Sequence, residues 1–219
     1  GKIFLPRAFS AENHLEEISG IYVPFWLYSC ESNGSFSFDA TRTHHYTDGD
    51  YDVTETEHYL VLRDGEARFN NIPVDGSSKM DDAYMDAIEP FDYSAITDFH
   101  TDYLPGYAAQ TYDEDATACA PRATARVKNT TIAAIRRTCD YTTLTPRTSK
   151  ISTTQNSVDY ALLPVWMLTT NWHGKSYHFA INGQTGKLIG DLPIDKGRFF
   201  SLLAGITIPL GILLKLFIF

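Results

Sequence analysis

The sequence predicts an α+β fold: antiparallel β-hairpin units at both ends, duplicated, around a helical middle, with a transmembrane helix at the C-terminus. Three observations predict it. Aromatic and β-branched runs at each end are punctuated by Asn-Gly, Asp-Gly and His-Gly turn signals. An Ala- and Arg-rich stretch with helical spacing lies between them. The last twenty-one residues, Phe199 to Phe219, carry a single charge, Lys215. At about 1.5 Å per residue such a helix spans a hydrocarbon core of roughly 30 Å.

The elements follow in order. Residues 1–20 are an N-terminal lead-in, with a short helical turn expected over Glu12 to Ile18 and ending at Gly20. Residues 21–112 form the first β-rich half. Its first hairpin pairs Ile21–Tyr28 with Ser35–Thr41 across an Asn33-Gly34 turn. Its second pairs Thr54–Arg63 with a strand reaching Ile72 across Asp64-Gly65. Lys79 to Ile88 reads as a helix, because Met80, Ala83, Tyr84 and Ala87 share one stripe. Residues 113–140 are the helical connector, most convincingly Ala123 to Thr138, with Pro121 at a kink or in the first turn. Residues 141–195 form the second β-rich half: strands over Thr142–Thr153, Tyr160–Thr170 and Lys175–Ile181, a turn at Trp172-His173-Gly174, and a tight turn at Asn182–Gly186. Residues 196–219 form the membrane helix, which Asp195 is placed to cap.

The two halves align at an offset of 140 residues. Val23-Pro24-Phe25-Trp26-Leu27 matches Leu163-Pro164-Val165-Trp166-Met167, and Gly34 matches Gly174 as a turn glycine. Proline cannot donate to a β-ladder, so its repetition beside a tryptophan points to a bulge or an edge strand. Pro24, Trp26, Gly34, Pro164, Trp166 and Gly174 are therefore the candidate structural residues, with both indoles buried in equivalent places.

The chain has 219 residues, a net charge of −9 and 13% aromatics, which excludes a disordered polyampholyte. The charge is unevenly spread. Eighteen acidic residues lie between Asp48 and Asp115, whereas seven basic residues against one acid lie between Arg122 and Lys150. The two regions face each other or solvate their own surfaces; the sharper alternative makes Arg122, Arg126, Arg136 and Arg137 a basic face for anionic lipid or nucleic acid. Nucleic acid is not an expected partner. Cys30, Cys119 and Cys139 have no C-x-x-C spacing, so neither a disulfide framework nor a zinc site is read from them, and a reducing compartment fits. No signal peptide opens the chain, and Gly1 in place of an initiator methionine suggests a piece of a longer protein.

Few motifs carry chemistry. Asp48, Asp50 and Asp52 alternate as in a calcium loop, with Glu55 and Glu57 following, but Val53 and Tyr59 stand where an EF-hand needs Gly and Glu. They are candidate ligands of a hard cation, or the polar face of a strand. Gly174-Lys175-Ser176 lacks the upstream glycine of a phosphate loop, and His44-His45 point to opposite faces of a strand. No catalytic residue and no cofactor is expected.

Tyr177-His-Phe-Ala-Ile-Asn-Gly-Gln-Thr-Gly-Lys-Leu-Ile189 resembles the strand-turn-strand of PepSY-type modules. A wider resemblance rests on Tyr22-Val-Pro-Phe-Trp-Leu27, Thr47-Asp-Gly-Asp-Tyr-Asp52, Pro73 to Asp82, Ile88-Glu-Pro-Phe-Asp-Tyr93 and Leu163-Pro-Val-Trp-Met167. Together these are similar to uncharacterised Gram-positive bacterial proteins that carry an N-terminal zinc ribbon, this domain and hydrophobic helices, some with a replication-helicase label. The ribbon cysteines and helicase motifs are missing here, so the resemblance implies a layout and no activity. The sequence-level expectation is a membrane-anchored, non-catalytic binding or assembly module with an unknown protein partner, held in the bilayer by Phe199–Phe219. Lys187, Lys196 and Arg198 before the span place its domain on the cytoplasmic face. The alternative is a metal-dependent hydrolase using the Asp48–Glu57 carboxylates.

Overall fold

Three very long strands organise the molecule in the computed structural model, which describes residues 15–191 and 195–218. Strand β1 runs Leu15–Asp48, β2 Tyr51–Asp75 and β4 Thr143–Trp172. Between them lie helix α1 (Asp82–Ala87), a short strand β3 (Tyr107–Ala109) and helix α2 (Ala116–Arg137). Strands β5 (Lys175–Asn182) and β6 (Leu188–Gly190) follow, and helix α3 (Lys196–Ile218) ends the chain. The sheet order is β2-β1-β4-β5-β6, with β3 beside β1 in parallel. The α+β class thus holds, with one strand-rich sheet and few helices.

The expected hairpins at Asn33-Gly34 and Asp64-Gly65 do not exist. Both glycines sit in mid-strand and are paired with each other in the β1–β2 ladder. A Cβ on Gly65 would lie 2.5 Å from Ile135 Cδ1 of α2, and one on Gly34 would lie 2.9 Å from the Lys150 carbonyl oxygen. The glycines permit close approach of a helix and a neighbouring strand, the other meaning of glycine in a β segment. The real hairpin turn is Gly49-Asp50, at the centre of the alternating carboxylates, with Gly49 at φ 61. A positive φ at the first central residue is the glycine-requiring pattern of a two-residue turn.

The expected break between Thr153 and Tyr160 is likewise absent, because β4 is continuous. One register shift lies inside the expected break, where Ser29/Cys30 of β1 oppose Ser157/Gln155; a second, Ser37/Phe38 opposite Thr148/Pro146, lies within the strand expected over Thr142–Thr153. Each bulge puts one extra residue into β4 and breaks the sequence alternation there without ending the strand. A third lies in β2, where Tyr28/Cys30 oppose Ile72/Phe69 and Asn71 adopts φ 55. The helical turn expected over Glu12 to Ile18 is also corrected, since Leu15 to Ile18 belong to β1, whereas residues 12–14 lie outside the described residues. The helix expected from Lys79 begins at Asp82, after Asp81 accepts from the Ala83 and Tyr84 amides.

From Glu17 onward β1 carries no extra residue opposite either neighbour, so its alternation assigns its two faces cleanly. Odd residues Val23, Phe25 and Leu27 pack with Ala161, Leu163 and Val165 against Met85, Ile88 and Phe91. Even residues Tyr28 and Cys30 pack with Val74 on Cys119, Ala123 and Val127, a stripe of α2 at intervals of four. Farther along, Phe36, Phe38, Ala40 and Val61 meet Ile132 and Ile135. One strand therefore buries opposite faces at its two ends. Beyond Thr41 β4 no longer accompanies it, and residues 42–57 extend as a two-stranded ribbon.

Candidate functional site

The prolines mark where ladders change partner. β3 pairs with β1 only through Tyr22, and β2 only from Phe25, so Pro24 occupies the gap where no donor is required. Its carbonyl accepts from Gly76 N at 2.9 Å. Pro164 sits one residue before the β5 ladder begins at Val165, and its carbonyl accepts from Gly183 N at 2.8 Å. Val23 and Leu163, equivalent in the two Pro-x-Trp copies, are paired with each other. The likeness stops there, since Gly34 is a mid-strand residue, whereas His173-Gly174, with φ 52 and 74, is a true turn.

Both indoles are half-buried on the face opposite Phe25. Trp26 stacks edgewise on Tyr112, lies 5.2 Å from the Tyr160 ring, and donates its Nε1–H to the Glu114 carbonyl at 3.0 Å. Trp166 meets Tyr107, which also packs on Tyr22. The aromatic row ties the loop before α2 to the sheet.

The densest polar constellation joins the end of β2, α1 and α2. Arg122 lies 3.0 Å from Asp75, 2.8 Å from Asp82 and 3.3 Å from Asp86. Arg126 reaches Asp86 at 3.4 Å and Glu89 at 2.8 Å, and donates to the Pro73 carbonyl. Asp75 is buried, and its Oδ2 has no hydrogen-bond partner among the described residues. Burial pushes its carboxyl up to about 6, with Arg122 opposing. Sequence reading missed this cluster. The available signal was Asp82, Asp86 and Glu89 at i, i+4 and i+7 against Arg122 and Arg126 at i, i+4. Arg122 and Arg126 therefore sit inside an ion-pair network, while Arg136 and Arg137 lie exposed in the last turn of α2, Arg136 on the Leu144 carbonyl.

Asp48, Asp50 and Asp52 lie exposed at the ribbon tip, where Asp52 accepts from Thr47 Oγ1 at 3.2 Å. Among the described residues no three His, Cys, Asp or Glu side chains gather as a metal-binding group. Cys30 and Cys119 are buried free thiols, and burial pushes Cys119 up to about 11, far from a reactive thiolate. The Asn182–Gly186 turn has a structural task. Asn182, fully buried, donates from Nδ2 to the Ile88 and Pro90 carbonyls and accepts at Oδ1 from the Gln184 and Thr185 amides.

Helix α3 is capped as expected, with Asp195 Oδ1 accepting from Arg198 N at 3.1 Å. Its stretch Lys196–Lys215 has a mean hydropathy of 1.7, is long and apolar enough to cross a membrane, and has none of its window buried against the rest of the protein. Phe219 lies outside the described residues.

Known proteins offer one informative comparison. The chain is 37% identical over 215 residues, 98% of its length, to the uncharacterized protein YdjG of Bacillus subtilis (strain 168). It spans 63% of that protein's length. The expected likeness to uncharacterised Gram-positive bacterial proteins is thereby supported at the level of this relative. No family model matches, so the PepSY and zinc-ribbon expectations gain no support, and no solved structure matches the chain.

Proposed function

We propose that this chain is a membrane-anchored binding or assembly module without chemistry of its own. The observation that carries the reading is helix α3. Leu202, Leu203, Ile206, Ile208, Leu210, Leu213 and Leu214 are all about half exposed, and among the described residues no other element covers them. Water is a poor solvent for so much contiguous apolar surface, and a bilayer satisfies it. Lys187, Lys196 and Arg198 lie on the domain side of the span, which favours a cytoplasmic domain.

The remaining surface suits docking more than catalysis. The polar cluster around Asp75 packs structural elements together, and the ribbon of residues 42–57 reaches past the sheet with both faces exposed. The hydrolase reading has less support, because the carboxylates it needs are strung along a hairpin tip.

Membrane extraction with alkaline carbonate, together with impermeant thiol labelling of an Asp50→Cys variant in intact cells, tests the reading. Retention in the pellet with labelling only after lysis is the expected result. Release of the full chain by carbonate would overturn the anchor, and labelling before lysis would reverse the sidedness.

A further inference from the structure

We infer that β2 is the seam of a two-fold homodimer, in which the outer edges of two copies pair antiparallel about Leu60 and join the two sheets into one. This goes beyond the anchoring role and does not depend on it. The starting observation is that β2 is a 25-residue terminal strand of the sheet, and that no described strand pairs with its outer edge. Proline is absent from it until Pro73, and so is lysine, leaving two of the usual guards of a strand edge unused.

The ladder fixes which groups face outward. The two-residue turn makes Asp48–Tyr51 a hydrogen-bonded pair, and no bulge interrupts the register as far as Cys30–Phe69. Odd residues of β2 therefore bond β1, and the even residues from Asp52 to Arg68 turn their N–H and C=O groups outward. Arg63 Nη1 donates to one such carbonyl, that of Leu62. Two copies can exchange bonds only in registers that oppose even residues to even.

Charge then selects among these registers. Centred on Leu60, the pairing opposes Asp52 to Arg68 and Glu57 to Arg63, each twice by symmetry, with no like charges facing. Centres one or two residues earlier oppose Asp52 to Glu66 or to Asp64. Centres at Val61 and Leu62 bring no ion pair, and a centre at Arg63 opposes that arginine to itself. The occupant of this edge is thus a second copy of the chain, since the strand is complementary to its own reverse. The same register brings together Leu60 and Leu62 of both copies, which are 57% and 65% exposed in one chain. Arg68 already pairs with Glu31 at 3.2 Å, and Asp52 of the copy adds a second carboxylate.

The test uses the full chain in mild detergent. Light scattering should give the mass of a dimer. Leu60→Cys should cross-link on mild oxidation, because directly opposed residues of a hydrogen-bonded pair have Cα atoms about 5.5 Å apart, within disulfide reach. Leu62→Cys should not, since its own equivalent lies roughly 13 Å away along the strand. Arg68→Glu should weaken association about tenfold by opposing like charges at two symmetric places. Adding Asp52→Arg should restore it, which loss of the internal Glu31 pair would not allow. A monomeric mass overturns the proposal. So does a dimer that leaves Leu60→Cys reduced or ignores Arg68→Glu, since it would be held elsewhere, for instance through α3. Equal cross-linking of Leu62→Cys would refute the register, and with it the charge argument.

Discussion

Arg122→Ala offers the sharpest test of the polar cluster. The Asp75 side chain is 1% exposed and its Oδ1 takes Arg122 Nη2 at 3.0 Å, whereas Oδ2 has no partner among the described residues. Truncating Arg122 leaves a buried carboxylate without a counter-charge, a change that typically costs 3–5 kcal/mol. Arg122 is 26% exposed, so water screens part of the pair, and the lower end, about 3 kcal/mol at pH 7.5, is expected. Loss of Asp82 and Asp86, both about half exposed, adds about 1 kcal/mol at most.

The pH dependence carries the diagnosis. The folded carboxyl of Asp75 is raised to about 6 even with Arg122 present, and removing Arg122 raises it further. A carboxyl raised above its unfolded value of about 3.9 binds the extra proton in the folded state. Its contribution to stability is therefore full below that value and declines as pH rises through the folded pKa. The Arg122→Ala deficit should be small at pH 5 and large at pH 7.5, measured by urea unfolding of the full chain in detergent with tryptophan fluorescence. Asp75→Asn, introduced into the Arg122→Ala background, should recover much of the loss at pH 7.5. Equal deficits at both pH values, or no relief from the asparagine, would refute the reasoning.

Three further outcomes follow from the packing. Gly34→Ala should lose about 1–3 kcal/mol, since the new methyl meets the Lys150 carbonyl; a neutral result in the same unfolding assay would deny the close approach. Asn182→Ala removes two hydrogen bonds that tie the β5–β6 turn to the end of α1 and the loop after it, and two more inside the turn. A loss of about 2–3 kcal/mol is expected, with faster amide exchange in residues 88–92, and unchanged exchange would count against the clamp. Millimolar calcium or magnesium should leave the melting temperature unchanged, and a rise that Asp50→Ala abolishes would restore the ribbon-tip carboxylates as ligands.

Residue chemistry with a single outcome was legible in the chain. The apolar run that begins at Phe199, with Lys215 its one charge, has one comfortable conformation, a helix, and α3 is that helix, capped by Asp195. The turn expected at Trp172-His173-Gly174 stands within one residue, as a left-handed pair His173-Gly174 after Trp172 has ended β4. The alanine-rich helix is legible too, inside the connector of residues 113–140: it begins at Ala116, where Asp115 caps it, and carries Pro121 within it.

Glycine and broken alternation have more than one outcome, and there the tertiary structure decided. Gly34 and Gly65 had two physical uses, turning the chain or admitting a neighbour, and only the arrival of Ile135 and the Lys150 carbonyl selected the second. The Gln155 to Ser157 region reads as a strand end, because a bulge and a loop disturb the period-two pattern alike until a partner strand is in place. Asp75 showed nothing unusual in sequence. Its buried charge exists because α2 carries Arg122 across the end of β2, a meeting of residues 47 positions apart that no local pattern encodes.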